Sequence, residues 1–168
     1  DVSEERNIDP AKFLARRAAA YQAYYENLPL RSAQLPQGPN MQLYRHVRFG
    51  RLAEFAVLDT RQYRTDQPCG DGNKPLCPAA LDEKATLMGA RQEQWFYDAL
   101  TNSRGLWNIV AQQVMMARAD RKGGSEVTYS MDQWPGYEAN RQRMLGFFAR
   151  NPQRNPVVIT GDIHSNWV

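Results

Sequence analysis

Cysteine and histidine are scarce in this chain: only Cys69 and Cys77 carry a thiol and only His46 and His164 an imidazole. A structural zinc site takes four ligands, and neither histidine stands at finger-like spacing from the cysteines, so a zinc finger is excluded. Both thiols fall in the Gly/Pro-rich loop Gln67-Pro-Cys-Gly-Asp-Gly-Asn-Lys-Pro-Leu-Cys-Pro78. A disulfide stapling this loop is the better reading and unbridged thiols the alternative; a bridge implies an oxidising compartment. Long apolar runs are lacking as well, and no stretch approaches the length needed to cross a bilayer. The start Asp1-Val-Ser-Glu-Glu has neither the basic nor the apolar region of a signal peptide, so an export signal is expected upstream of it. Charge of one sign is also missing. Twenty-one basic against 18 acidic residues leave a net +3 with no block of like sign, which gives no nucleic-acid-specific signal. There is no internal repeat and no low-complexity segment.

What is present suits one ordinary core: 168 residues, 42% of them hydrophobic, make one domain or part of one. Over residues 10–28, Phe13, Leu14, Arg17, Ala18, Tyr21, Tyr24 and Tyr25 recur at helical spacing, with Asp9 placed to cap and Pro10 at the first helical position. This aromatic stripe reads as core packing. A hairpin follows, its strands 43–49 and 52–58 joined at Gly50-Arg51. The first strand is expected to show one face to solvent through Arg45 and Arg48, and the second to lie inside the sheet. His46 reads as an ordinary strand residue. Residues 89–103 carry Gln92, Trp95, Phe96, Ala99 and Leu100 at helical offsets, residues 106–112 form a strand, and residues 118–129 form a Gly-rich surface loop. Residues 137–150 form a helix buried through Met144, Leu145, Phe147 and Phe148, and the chain closes on a buried strand. Helices alternating with strands over the last half predict a layered α/β architecture.

Chemistry-bearing side chains collect where these strands end. The run Val157-Val-Ile-Thr-Gly-Asp-Ile-His164 breaks at Gly161 and presents a carboxylate and an imidazole two positions apart, the layout of a metal site at a strand end. Asp59-Thr-Arg61-Gln-Tyr63-Arg64 follows the second hairpin strand in the same manner, either as a site or as a solvated turn in which Asp59 and Arg61 pair. Gln112-Gln113 repeats the pattern after the third strand.

Five stretches carry a resemblance: Leu43-Tyr-Arg to Phe49-Gly50, Leu58-Asp-Thr-Arg-Gln-Tyr-Arg64-Thr-Asp-Gln-Pro-Cys69, Trp107-Asn-Ile-Val-Ala-Gln-Gln-Val-Met-Met116, Asp132-Gln-Trp-Pro-Gly-Tyr137 and Thr160-Gly-Asp-Ile-His-Ser165. In this order they resemble the PhoD family of alkaline phosphatases and phosphodiesterases, within the metallophosphoesterase group, and span nearly the whole chain. The resemblance implies an α/β fold, a metallophosphatase-type β-sandwich flanked by helices, of which residues 1–168 are one partial domain. It implies metal-dependent hydrolysis of small-molecule or lipid phosphate esters, iron with calcium as cofactors, and a periplasmic or secreted location. By the same resemblance Asp162 and His164 are metal ligands and Asp59 lies at the metal site. Arg61 serves catalysis and, with Tyr63, substrate binding, while Gln112 and Asn166 hydrogen-bond around the ligands. His164 is also a candidate proton donor. Oligomeric state is left open. The family's early Gly-Asp motif, early ligand cysteine and Asp-Asp-His-Glu motif have no counterpart here. Asp1-Val-Ser-Glu-Glu resembles the segment just after Asp-Asp-His-Glu. A chain without those motifs is expected either to work as part of a larger site or to be a catalytically incompetent module of the fold.

Overall fold

The first helix, α1 (Pro10–Asn27), begins where the sequence places it: Asp9 Oδ1 accepts from Ala11 N at 2.9 Å and Lys12 N at 3.1 Å, satisfying amides that the helix leaves orphaned. The structure is a computed structural model and describes residues 8–165. By contact the chain falls into two units, residues 1–43 and 44–168. Within the first, α1 has no fully buried residue. Its stripe of Phe13, Leu14, Ala18, Tyr21 and Tyr25 is half-covered, while Tyr24 is exposed, so the stripe is a partly sheltered face rather than core.

The second unit is built on a four-stranded sheet. Strands β1 (Arg45–Phe49) and β2 (Ala53–Val57) form the expected hairpin. Two-residue strands β3 (Asn73–Lys74) and β5 (Tyr129–Ser130) pair separately. Strands β4 (Trp107–Ala111) and β6 (Pro156–Ile159) complete the main sheet in the order β1-β2-β4-β6, with β2, β4 and β6 mutually parallel. Parallel neighbours require crossovers. These carry α2 (Ala90–Thr101) and α3 (Glu138–Arg150), which pack on one face of the sheet. Phe96 and Leu100 from α2 and Met144 with Phe148 from α3 meet Ala56, Val110 and Val158 from the strands. Phe96 packs edge-on against Phe147 and Phe148, with ring centroids 6.2 and 6.0 Å apart. The helices are also tied by charge: Arg143 reaches the Glu93 carboxylate at 2.8 and 3.0 Å, and Asn140 donates to it at 2.9 Å. Tyr97 donates to it at 2.7 Å, and burial followed by this acceptor pushes the phenol well above its ordinary range.

Two strand expectations need correction. Side chains alternate along a strand, so Arg45 and Arg48, three apart, lie on opposite faces. His46 and Arg48 share a face instead, and both reach buried Glu54, His46 Nε2 at 2.9 Å and Arg48 Nε at 3.2 Å. The terminal strand is not buried. Among the described residues β6 is an edge strand, paired to β4 alone, and Val157 and Ile159 are 37% and 48% exposed. Its apolar sequence gives helix-facing residues at alternate positions only, and Val157 and Ile159 on the other face stay exposed among the described residues.

Candidate functional site at the carboxyl edge of the sheet

Because β2, β4 and β6 run parallel, their carboxyl ends open on one edge, where open α/β sheets place ligands. Leaving β2, Asp59 is 4% exposed and turns back on its own loop. Its Oδ1 accepts from Arg61 N and Gln62 N, both at 3.0 Å, and its Oδ2 from Gln62 Nε2 at 2.5 Å. Gln92 of α2 grips the Asp59 backbone, accepting from N at 2.7 Å and donating to O at 2.8 Å. From β4, Gln113 accepts from Thr60 N at 2.9 Å and donates to Leu58 O at 2.7 Å, locking two strand ends together. Asp59 thus fixes a turn with oxygens already engaged.

The Arg61 guanidinium does not pair with the Asp59 carboxylate. It donates to Asp132 Oδ2 at 2.7 Å; Asp132 Oδ1 accepts from Arg64 and, at 2.9 Å, from Gln67 Nε2. Burial works to raise the Asp132 pKa, but the Arg64 and Arg61 hydrogen bonds outweigh it and hold the carboxyl below its ordinary range. The next residue, Gln133, donates to Asp162 Oδ2 at 3.4 Å, so the loop leaving β6 meets the same turn. This turn is well held. Trp134 is fully buried and donates to Gln112 Oε1 at 2.9 Å; Tyr137 donates to Thr65 O at 2.8 Å, and burial pushes its phenol up to about 12. Buried Gln112 Nε2 finds no hydrogen-bond partner among the described residues.

Asp162 and His164 lie exposed beyond β6 with φ of 72° and 57°, the left-handed region that non-glycine residues enter at a cost. Tyr63 is exposed, its ring edge-on to Tyr44 at 5.6 Å and its backbone close against Gly89. Cys69 and Cys77 are bridged. Asn166 lies outside the described residues. The structure therefore links Arg61 to Asp162 through Asp132 and Gln133, with Asp59 holding the Arg61 backbone and Gln112 holding Trp134 beside Gln133. Tyr63 lies instead against Tyr44 and Gly89, and no hydrogen bond or ion pair among the described residues joins His164 to this cluster. A groove lined by His46, Arg91, Trp95 and Asp98 shares none of these residues.

Sequence reasoning missed Asp132, Gln133 and Arg64 as site residues. Asp132 opens a conspicuous motif, yet it stands 71 positions from Arg61, and no local spacing announces the pair. For a metal, the donors suit in kind, an exposed carboxylate and an imidazole, but not in number. No group of three His, Cys, Asp or Glu side chains able to hold an ion occurs among the described residues, and the metals in question take four or more ligands.

The family model described as PhoD-like phosphatase matches residues 1–168. The chain is similar to alkaline phosphatase D of Bacillus subtilis (strain 168), 50% identical over 163 residues, which is 97% of this chain and 28% of that protein. A solved structure titled "Structure of PhoD" superposes with a TM-score of 0.86 at 49% identity, over 95% of this chain and 31% of the solved one. The chain thus spans less than a third of either relative's length.

Proposed function

Since the chain belongs to the PhoD-like phosphatase family, we propose that it is part of a phosphoric ester hydrolase, one partial domain contributing its share of a metal-dependent site for phosphate mono- or diesters. The observation that carries this reading is the convergence of Arg61, Asp132, Gln133 and Asp162 at the carboxyl edge of three parallel strands. It links a guanidinium suited to phosphate oxygens, through Asp132 and Gln133, to a loop bearing a carboxylate suited to a hard cation. The substrate class is a small-molecule or lipid phosphate ester.

Asp162 and His164 would hold the metal together with ligands from the rest of the protein, while Asp59 fixes the turn that carries Arg61. By family likeness the ions are iron and calcium, and when bound they supply charge neutralisation and an acidified water. Arg61 takes phosphoryl oxygens and opposes their charge as it builds, with Tyr63 flanking it. If His164 is not itself a ligand, its exposed imidazole would serve instead to protonate the leaving alkoxide as the P–O bond breaks on water attack. Buried Gln112, whose Nε2 has no partner among the described residues, and Asn166 would steady this shell. The apolar sheet face opposite the helices supports the two-layer sandwich of the group, and the Cys69–Cys77 bridge supports an oxidising, periplasmic or extracellular setting. No helix among the described residues is long and apolar enough to cross a membrane.

A second reading follows from the ligand count: with two such donors, residues 1–168 alone are an incompetent or binding module of the fold. Elemental analysis of the purified chain, with chromogenic mono- and diester assays at alkaline pH with and without calcium, separates the two. Preference for diester headgroups would mark a phospholipase D-like variant. In a full-length family enzyme carrying the Gly161–Ser165 motif, Asp162→Ala is expected to lower metal content and cut turnover by more than about 100-fold. Parental turnover and metal content in that variant would overturn the assignment.

A further inference from the structure

We propose that Asp132 is a positioning residue for Arg61, holding its guanidinium ready for a phosphoryl group, an inference that rests on the reading of Arg61 as the phosphate-binding group. The two oxygens of Asp132 are divided. Oδ1 is occupied by Arg64 and by Gln67 Nε2 at 2.9 Å, and Oδ2 is left to Arg61 Nη1 at 2.7 Å. Arg64, whose side chain is 18% exposed, therefore braces the carboxylate, while Arg61, at 39%, is the member that meets solvent. Arg61 spends one nitrogen on this contact. Its Nε and Nη2 have no partner among the described residues, which leaves a planar edge for an incoming oxyanion.

The carboxylate is itself anchored from both sides. Met131 N donates to Gly72 O at 3.0 Å and so ties the turn to the disulfide loop, and Trp134 beyond it is fully buried on Gln112. Arg61 follows Asp59 on a loop and is exposed; without Asp132 it keeps its charge but loses a defined direction. An arginine held in place gives up less rotamer freedom when substrate arrives, so removal of its holder falls on binding. The same turn touches Asp162 through Gln133, so one rigid segment sets the spacing between the guanidinium and the carboxylate sides of the site.

The test is a double-mutant cycle in a full-length family enzyme carrying both segments, read with a chromogenic phosphomonoester, with inorganic phosphate as competing inhibitor and with thermal melts. Arg61→Ala is expected to lower kcat/KM by about 100-fold, and Asp132→Asn by about tenfold, mainly through KM and with weaker phosphate inhibition to match. The double variant should match Arg61→Ala within about twofold, because Asp132 acts through Arg61. Independent losses that multiply in the double variant, or a kcat effect with KM and phosphate inhibition unchanged, would overturn the positioning role. Should Asp132→Asn fail to fold, Asp132→Glu, which displaces the charge by one methylene, takes its place in the same cycle with the same expected pattern. An Arg61→Ala enzyme with parental KM and phosphate inhibition would instead remove the reading of Arg61 itself.

Discussion

Glu54 is the residue whose chemistry departs furthest from its sequence neighbourhood, a carboxylate 3% exposed in the middle of an apolar strand. Burial would raise its pKa, but the Arg104 amide at 3.2 Å, Ser103, His46 and Arg48 together hold it below its ordinary 4.5. The sign follows from linkage. A carboxyl whose folded pKa is depressed contributes stability that is present above the unfolded value and lost as pH falls through the folded one. Thermal melts are therefore expected to drop as pH falls below about 4.5, and Glu54→Gln should flatten that dependence. At neutral pH the same substitution should cost about 1–3 kcal/mol, since the Arg48 guanidinium loses its counter-charge. A parental melting temperature for Glu54→Gln at both neutral and acid pH would refute this. At this scale the sequence displayed the strand-end candidates well. It did not disclose whom each side chain would meet, as Arg61 shows by choosing Asp132 over Asp59.

At the scale of elements, hydrophobic period and punctuation were sufficient for α1, α2, α3, the β1–β2 hairpin and β4, whose observed bounds fall within a few residues of those expected. They were insufficient for β3 and β5. Two residues carry no period, and this pair exists because the disulfide loop and the segment before Asp132 are brought together by the rest of the fold. The Trp134–Tyr137 turn that leads into α3 depends on Gly136, where a Cβ would fall onto Met131 O and within 2.8 Å of Met131 C. Backbone cannot yield as a flexible side chain does. Gly136→Ala should destabilise by about 2–3 kcal/mol in urea unfolding, and through the displaced turn should loosen Asp132 and Trp134. An unchanged denaturation midpoint would show that the turn has slack.

At the scale of the whole molecule, the sheet face away from α2 and α3 is apolar and exposed. Register aligns Phe49 with Ala53 and Trp107, and places Val157 beside Ile109 and Ile159 beside Ala111 on the same face. Phe49, Trp107, Val157 and Ile159 are 66%, 45%, 37% and 48% exposed. Adjacent exposed apolar side chains drive association. The isolated chain is thus expected to bind hydrophobic dyes and to self-associate with rising concentration in sedimentation, and Phe49→Lys with Ile159→Lys should reduce both. A strictly monomeric, dye-silent chain would contradict this view of the face.

The sequence by itself determined the local matters: the helices, the hairpin, and the placing of Asp59, Gln112, Asp162 and His164 just beyond strand ends, because period, caps and glycine breaks act over a few residues. Tertiary structure alone decided which of those ends became neighbours and which face of β6 was left open. Parallel pairing joins strands separated by about 50 positions, and a contact such as Arg61 with Asp132 is set by how the crossovers pack, information that no short window of residues contains.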